Sequence, residues 1–165
     1  MAKKILLSIA AIVALSVIAL AATKPNFSGT WTLDRARSYG LPGNMTQVLT
    51  ITQSDDKIEF ETKLIQPGNE RTVKDSYTLD GKEYDFTPQA APNQPPPKGK
   101  RSVTWMPGDK GLLVTEVTTA EGQKGPVTTQ VMRKWTISGN GELVIDMYID
   151  GPNGSFEGKR IFKKN

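Results

Sequence analysis

Arg133 and Arg160 are the residues from which chemistry is first expected, because each sits among apolar neighbours in a strand-like run. Arg133 alternates with Val131, Trp135 and Ile137, and Arg160 alternates with Phe156, Gly158 and Phe162. An arginine on the apolar face of a strand either packs over an aromatic ring or offers two parallel donors to a carboxylate. Trp105 shares its face with Arg101 and Val103, and Trp135 shares its face with Val131 and Ile137. Rings so placed pack as core or wall a cavity for an apolar ligand. The candidate ligand contacts are therefore Arg160, Phe162, Arg133, Trp135 and Trp105.

Much other chemistry is excluded by composition. The chain has no histidine and no cysteine, which removes serine–histidine and cysteine–histidine nucleophiles and the common zinc and copper sites. A carboxylate-only hydrolase or isomerase would draw on Glu59 and Glu61, but both lie on the face that also carries Lys57 and Lys63, which reads as a solvated ladder. The segment from Asp150 to Ser155 reads as a hairpin turn, since it lacks the further acidic residues of a calcium loop. Lys98, Lys100 and Arg101 are too few to form a nucleic-acid surface. No catalytic residue, metal or cofactor is assigned, and the protein is expected not to be an enzyme.

These residues must be positioned by the part of the chain beyond residue 22. Met1-Ala2-Lys3-Lys4 precedes an uncharged run from Ile5 to Ala22, the charged start and apolar stretch of a secretion signal. The small residues Ala19 and Ala21 place the cut near Ala21 or Ala22. Residues 1–22 are thus expected to be a signal peptide, touching the membrane only before cleavage, and residues 23–165 a single periplasmic or secreted domain. The 21 basic residues become 19 once Lys3 and Lys4 leave, against 17 acidic ones. So small a surplus selects no partner. With no cysteine, stability must come from burial and hydrogen bonding. A monomer without nucleic-acid partners is expected.

The remainder repeats one pattern, a short run rich in Val, Ile, Thr and aromatics followed by a turn of Gly, Pro, Asn or Asp. Strands are expected near Gly29–Arg35, Thr46–Ser54, Lys57–Gln66, Arg71–Leu79 and Lys82–Thr87. Five more are expected near Lys100–Met106, Leu112–Thr119, Val127–Ser138, Glu142–Asp150 and Ser155–Lys163. Such short links join antiparallel neighbours. The fold class is all-β, an up-and-down meander of about 8–10 strands closing on itself to remove its edges. Lys57, Glu59, Glu61 and Lys63 alternate with Ile58, Phe60, Thr62 and Leu64, so one face is wet and the other is core or lumen. Pro88 to Gly99 is a stiff, proline-rich loop, either a connector or a flap at the mouth.

The opening Asn26-Phe27-Ser28-Gly29-Thr30-Trp31 resembles the Gly-x-Trp start of lipocalins and their fatty-acid-binding relatives, the calycins. Gly29 and Trp31 carry that match. Lys159-Arg160-Ile161-Phe162 resembles the last strand of fatty-acid-binding proteins, where an Arg-x-Tyr or Arg-x-Phe pair points into the cavity. The resemblance implies a barrel closed by Gly29, Trp31 and an arginine over the indole, with Arg160 the candidate and Arg133 second. It also implies that Arg160 can take a ligand carboxylate. Ala36 to Met45, containing Gly40, Pro42 and Gly43, leaves no room for the helical lid of the fatty-acid-binding proteins.

The function expected is an exported lipocalin-like binding protein, holding a small apolar or amphipathic molecule inside the barrel. The alternative is an interaction module whose barrel is filled by side chains and which acts through its surface and the Pro88–Gly99 loop.

Overall fold

A computed structural model describes residues 23–88, 96–122 and 125–165. The expected signal segment, and residues 89–95 of the proline-rich loop, lie outside the described residues. Ten strands form one antiparallel sheet: β1 (Gly29–Leu33), β2 (Thr46–Gln53), β3 (Lys57–Gln66), β4 (Asn69–Thr78), β5 (Glu83–Phe86), β6 (Lys98–Trp105), β7 (Leu112–Gly122), β8 (Gly125–Ile137), β9 (Leu143–Gly151) and β10 (Gly154–Lys164). The only helical turns among the described residues are two 3-10 turns, at Arg35–Arg37 and Pro107–Asp109. The first of these ends β1 two residues earlier than its sequence suggests. Among the described residues, no longer helix stands between β1 and β2, in keeping with the absence of room for a helical lid.

The strand order is β4-β3-β2-β1-β10-β9-β8-β7-β6-β5. First and last strands meet, with Trp31 opposite Lys164 and Leu33 opposite Phe162. The meander departs from expectation at one place: β4 and β5 are consecutive but form the two edges of the sheet, with no ladder between them. The cause is local. Asp80 in the connector accepts hydrogen bonds from the Lys82 N–H (3.0 Å) and the Tyr84 hydroxyl (2.6 Å), which turns the chain away from β4 and onto β6. The expected closure of the sheet is therefore incomplete, and the gap is spanned by a side-chain ion pair between Arg101 of β6 and Asp75 of β4.

Alternation decides what faces inward. Ile58 is fully buried while Lys57 and Glu59 are exposed, and Leu143, Ile145 and Met147 are buried along β9. The inner core gathers at the end of the barrel where β1 begins. Phe27 is its plug, wholly buried and seated edge-on to Trp135 at 6.0 Å and stacked on Trp105 at 6.4 Å. Aromatic pairs in these geometries add about 0.5–1.5 kcal/mol beyond burial. Trp31, Ile58, Leu112, Leu143 and Phe162 complete this floor. Toward the other end the inward positions turn polar and charged, and the packing gives way to a cavity.

Candidate functional site: a basic cavity above an aromatic floor

The cavity has a volume of about 770 Å³, within the ordinary range for a small-molecule site. Its apolar wall is formed by Leu49, Phe60, Tyr77, Trp135, Ile145 and Phe162. Phe60 lies 4.8 Å from Tyr77 and 5.7 Å from Trp135, centroid to centroid, and Tyr77 lies 5.6 Å from Trp135. These rings hold one another and leave little freedom in the wall. A cavity of this size favours a binding site over the filled barrel of the interaction-module alternative.

Four arginines line the same space: Arg71 is exposed at its edge, and Arg101, Arg133 and Arg160 reach its inner part. Strand register puts them there. Arg101 of β6 is directly opposite Glu116 of β7, which is opposite Val131 of β8, two residues before Arg133. Arg160 of β10 pairs with Ile145 of β9, which pairs with Trp135 of β8. Inward parity on five strands gathers the charges into one layer.

Their partners differ. Glu116, 6% exposed, accepts from Arg101 Nε through Oε1 at 2.7 Å and from Arg133 Nη1 through Oε2 at 2.7 Å. Arg101 also donates twice to Asp75, at 2.9 and 2.6 Å, and to the Ser76 carbonyl at 3.2 Å. Burial works against the charge on Arg101, but the hydrogen bond to Asp75 and the field of Glu116 outweigh it and raise its pKa. Arg133 is likewise raised: burial opposes its charge, but Tyr77 and Glu116 together outweigh it. Arg160 is the exception. Its Nε is buried without a hydrogen-bond partner, and it joins no ion pair among the described residues. Burial, and then repulsion from Arg133, lowers its pKa.

Of the residues singled out from sequence, Arg160, Phe162, Arg133 and Trp135 come together in the cavity wall. Trp105 does not line it; the ring stacks on Phe27 in the floor, with Lys24 Nζ 4.9 Å from its centroid. Arg160 does not lie over Trp31, as expected for barrel closure. The cation there is Lys164, its Nζ 5.2 Å from the ring centroid, because the ladder sets Lys164 opposite Trp31. Gly29 is part of the same arrangement: a Cβ at that position would lie 2.6 Å from Lys164 Cε, and its φ of +134° disfavours any side chain. Gly29, Trp31 and Lys164 together close that end.

Glu116, Arg101 and Asp75 were not picked out from sequence as site residues. Glu116 had a signal, since it follows Leu112 and Val114 at two-residue spacing on the inward face. Glu59 and Glu61 stand outside, paired with Lys57 at 2.6 Å and Lys74 at 3.1 Å.

No protein-family model and no curated protein sequence matches the chain. Among solved structures it is similar to zebrafish ileal bile acid-binding protein complexed with cholic acid, with a TM-score of 0.50 and 21% identity over 84% of this chain and 98% of that one. It is also similar to secretory abundant heat soluble protein 4 of Ramazzottius varieornatus, with a TM-score of 0.44 and 15% identity over 84% of this chain and 94% of that one. The ten-stranded meander, its first strand laddered to its last, and the likeness to the bile acid-binding structure make this a calycin-like fold.

Proposed function

We propose that the protein is an exported, non-catalytic binding protein that holds one small amphipathic acid inside its barrel. The apolar body rests against Phe60, Trp135, Ile145 and Phe162, and the acid meets Arg160. The observation that carries this reading is Arg160, half-buried in the cavity wall beside Ile145, Trp135 and Phe162, with its Nε buried and without a partner. A half-buried cation without a counter-charge loses part of its hydration uncompensated, and a ligand carboxylate would supply two parallel acceptors. Nε1 of Trp135 is also buried without a partner, a further donor in the same wall. The neighbouring structure with bound cholic acid supports a small hydrophobic ligand for this kind of barrel.

Export rests on the sequence of residues 1–22, and the mass of the protein recovered from the cell envelope or medium checks it. Titration with dodecanoic acid and dodecanol tests the ligand class. A charge-assisted hydrogen bond contributes about 1.5–3 kcal/mol, so Arg160→Gln is expected to weaken the acid about tenfold to a hundredfold and leave the alcohol nearly unchanged. Equal loss for both, or no binding of either, contradicts the reading.

A further inference from the structure

We propose that Glu116 is the specificity-determining residue of the cavity, fixing its charge so that it accepts a ligand with a single negative charge and discriminates against a dianionic head group. The inference rests on the binding reading above and goes further, to the charge class of the ligand.

The inner layer of the cavity, leaving aside the exposed Arg71, holds three guanidinium groups and two carboxylates, Glu116 and Asp75. Glu116 gives one oxygen to Arg101 and the other to Arg133, each at 2.7 Å, and Asp75 is held twice by Arg101. One positive charge is left over, and it falls on Arg160, which has no partner of its own. A monoanion completes the balance. A dianion at the same place leaves one negative charge uncompensated in a partly buried site, and it must also face the carboxylate of Glu116. The two other cations that line the cavity do not alter this count: Arg71 is exposed, Lys74 is 79% exposed and paired with Glu61, and exposed charges are screened.

Glu116 has a second property that fits the role. It is the only group that ties Arg133 among the described residues, so its removal frees a second guanidinium beside Arg160. A purely structural glutamate would change stability when altered, without changing which head group is preferred.

The experiment is titration calorimetry on the full-length mature protein with three ligands sharing one chain: dodecanol, dodecanoate and dodecyl phosphate, at a mildly alkaline pH where the phosphate is a dianion. The wild type is expected to prefer dodecanoate over both others. Glu116→Gln should raise the affinity for dodecyl phosphate relative to dodecanoate at least about tenfold, the size expected for removing one charge at short range in a partly buried site. Arg133→Gln should do the opposite, eroding the preference for dodecanoate over dodecanol. The double variant Glu116→Gln, Arg133→Gln removes one charge of each sign, and the preference for the monoanion should return. Because it leaves no extra buried cation, it also serves if Glu116→Gln alone fails to fold. Head-group preferences unchanged in both single variants, or a double variant that prefers the phosphate, would overturn the proposal while leaving the binding reading standing. A wild type that binds none of the three ligands would overturn both.

Discussion

Arg101 grips Asp75 across the one seam of the barrel that has no main-chain ladder, with Nη2 to Oδ2 at 2.6 Å and Nη1 to Oδ1 at 2.9 Å. Phe86 of β5 lies over the guanidinium, 4.2 Å from ring centroid to Cζ. The ring also fills the space beside Gly99, where a Cβ would be 2.5 Å from Phe86 Cε1. Asp75, Phe86 and Arg101 together separate the main cavity from a smaller cleft of about 270 Å³ on the same seam.

This arrangement predicts a local effect of Asp75→Asn. Arg101 keeps Glu116, so the variant should remain folded, but the seam loses a charge-assisted pair. The expected loss is about 1–3 kcal/mol, read from the denaturant midpoint. Amide exchange should quicken in β4 and β5 and stay unchanged in β9 and β10. Exchange that quickens evenly in all strands would show that the pair holds no seam.

The closed end yields a second prediction. Lys164→Met keeps an apolar stem over Gly29 and removes only the cation above Trp31, and should cost about 0.5–1 kcal/mol. Gly29→Ala forces a side chain into a φ of +134° and against Lys164, and should cost more, about 1–3 kcal/mol. Chemical denaturation of the two variants checks the order. Removing both Lys164 and the Gly29 hydrogen should show coupling, since the two sites share one contact.

Alkaline stability gives a third. Burial pushes the Tyr77 hydroxyl up to about 12 from an ordinary value of 10.0. Above the unfolded value the unfolded chain releases this proton while the folded one keeps it, so the unfolded state binds fewer protons and stability falls as pH rises. The contribution is fully present below pH 10 and lost progressively toward pH 12. A shift of this size corresponds to about 2–3 kcal/mol. Urea denaturation across that range should show the decline in the wild type and a flatter profile in Tyr77→Phe. Parallel profiles would contradict the assignment.

Much of the fold was legible because two-residue alternation and turn residues act locally. All ten strands fall where runs such as Ile58, Phe60, Thr62 and Leu64 placed them, with ends shifted by a few residues. What could not be read depended on register between distant segments. Trp31 and its cation are an example: an inward arginine near the last strand was foreseeable, yet the ladder brings Lys164, four residues beyond Arg160, over the indole. The seam is another, because Asp80-Gly81 resembles any tight hairpin, and only the bonds from Lys82 and Tyr84 to the Asp80 side chain turn it into a break. Arg133 and Arg160 were visible as charges on apolar faces. The neutralisation of one and not the other required knowing that Glu116 stands between Arg101 and Arg133.

A crystal structure of the protein with dodecanoate tests the central claim most directly. The carboxylate is expected inside the cavity, within hydrogen-bonding distance of the Arg160 guanidinium, with the alkyl chain along Phe60 and Phe162. A chain bound with its carboxylate at the mouth in solvent, and Arg160 still without a partner, would contradict the account.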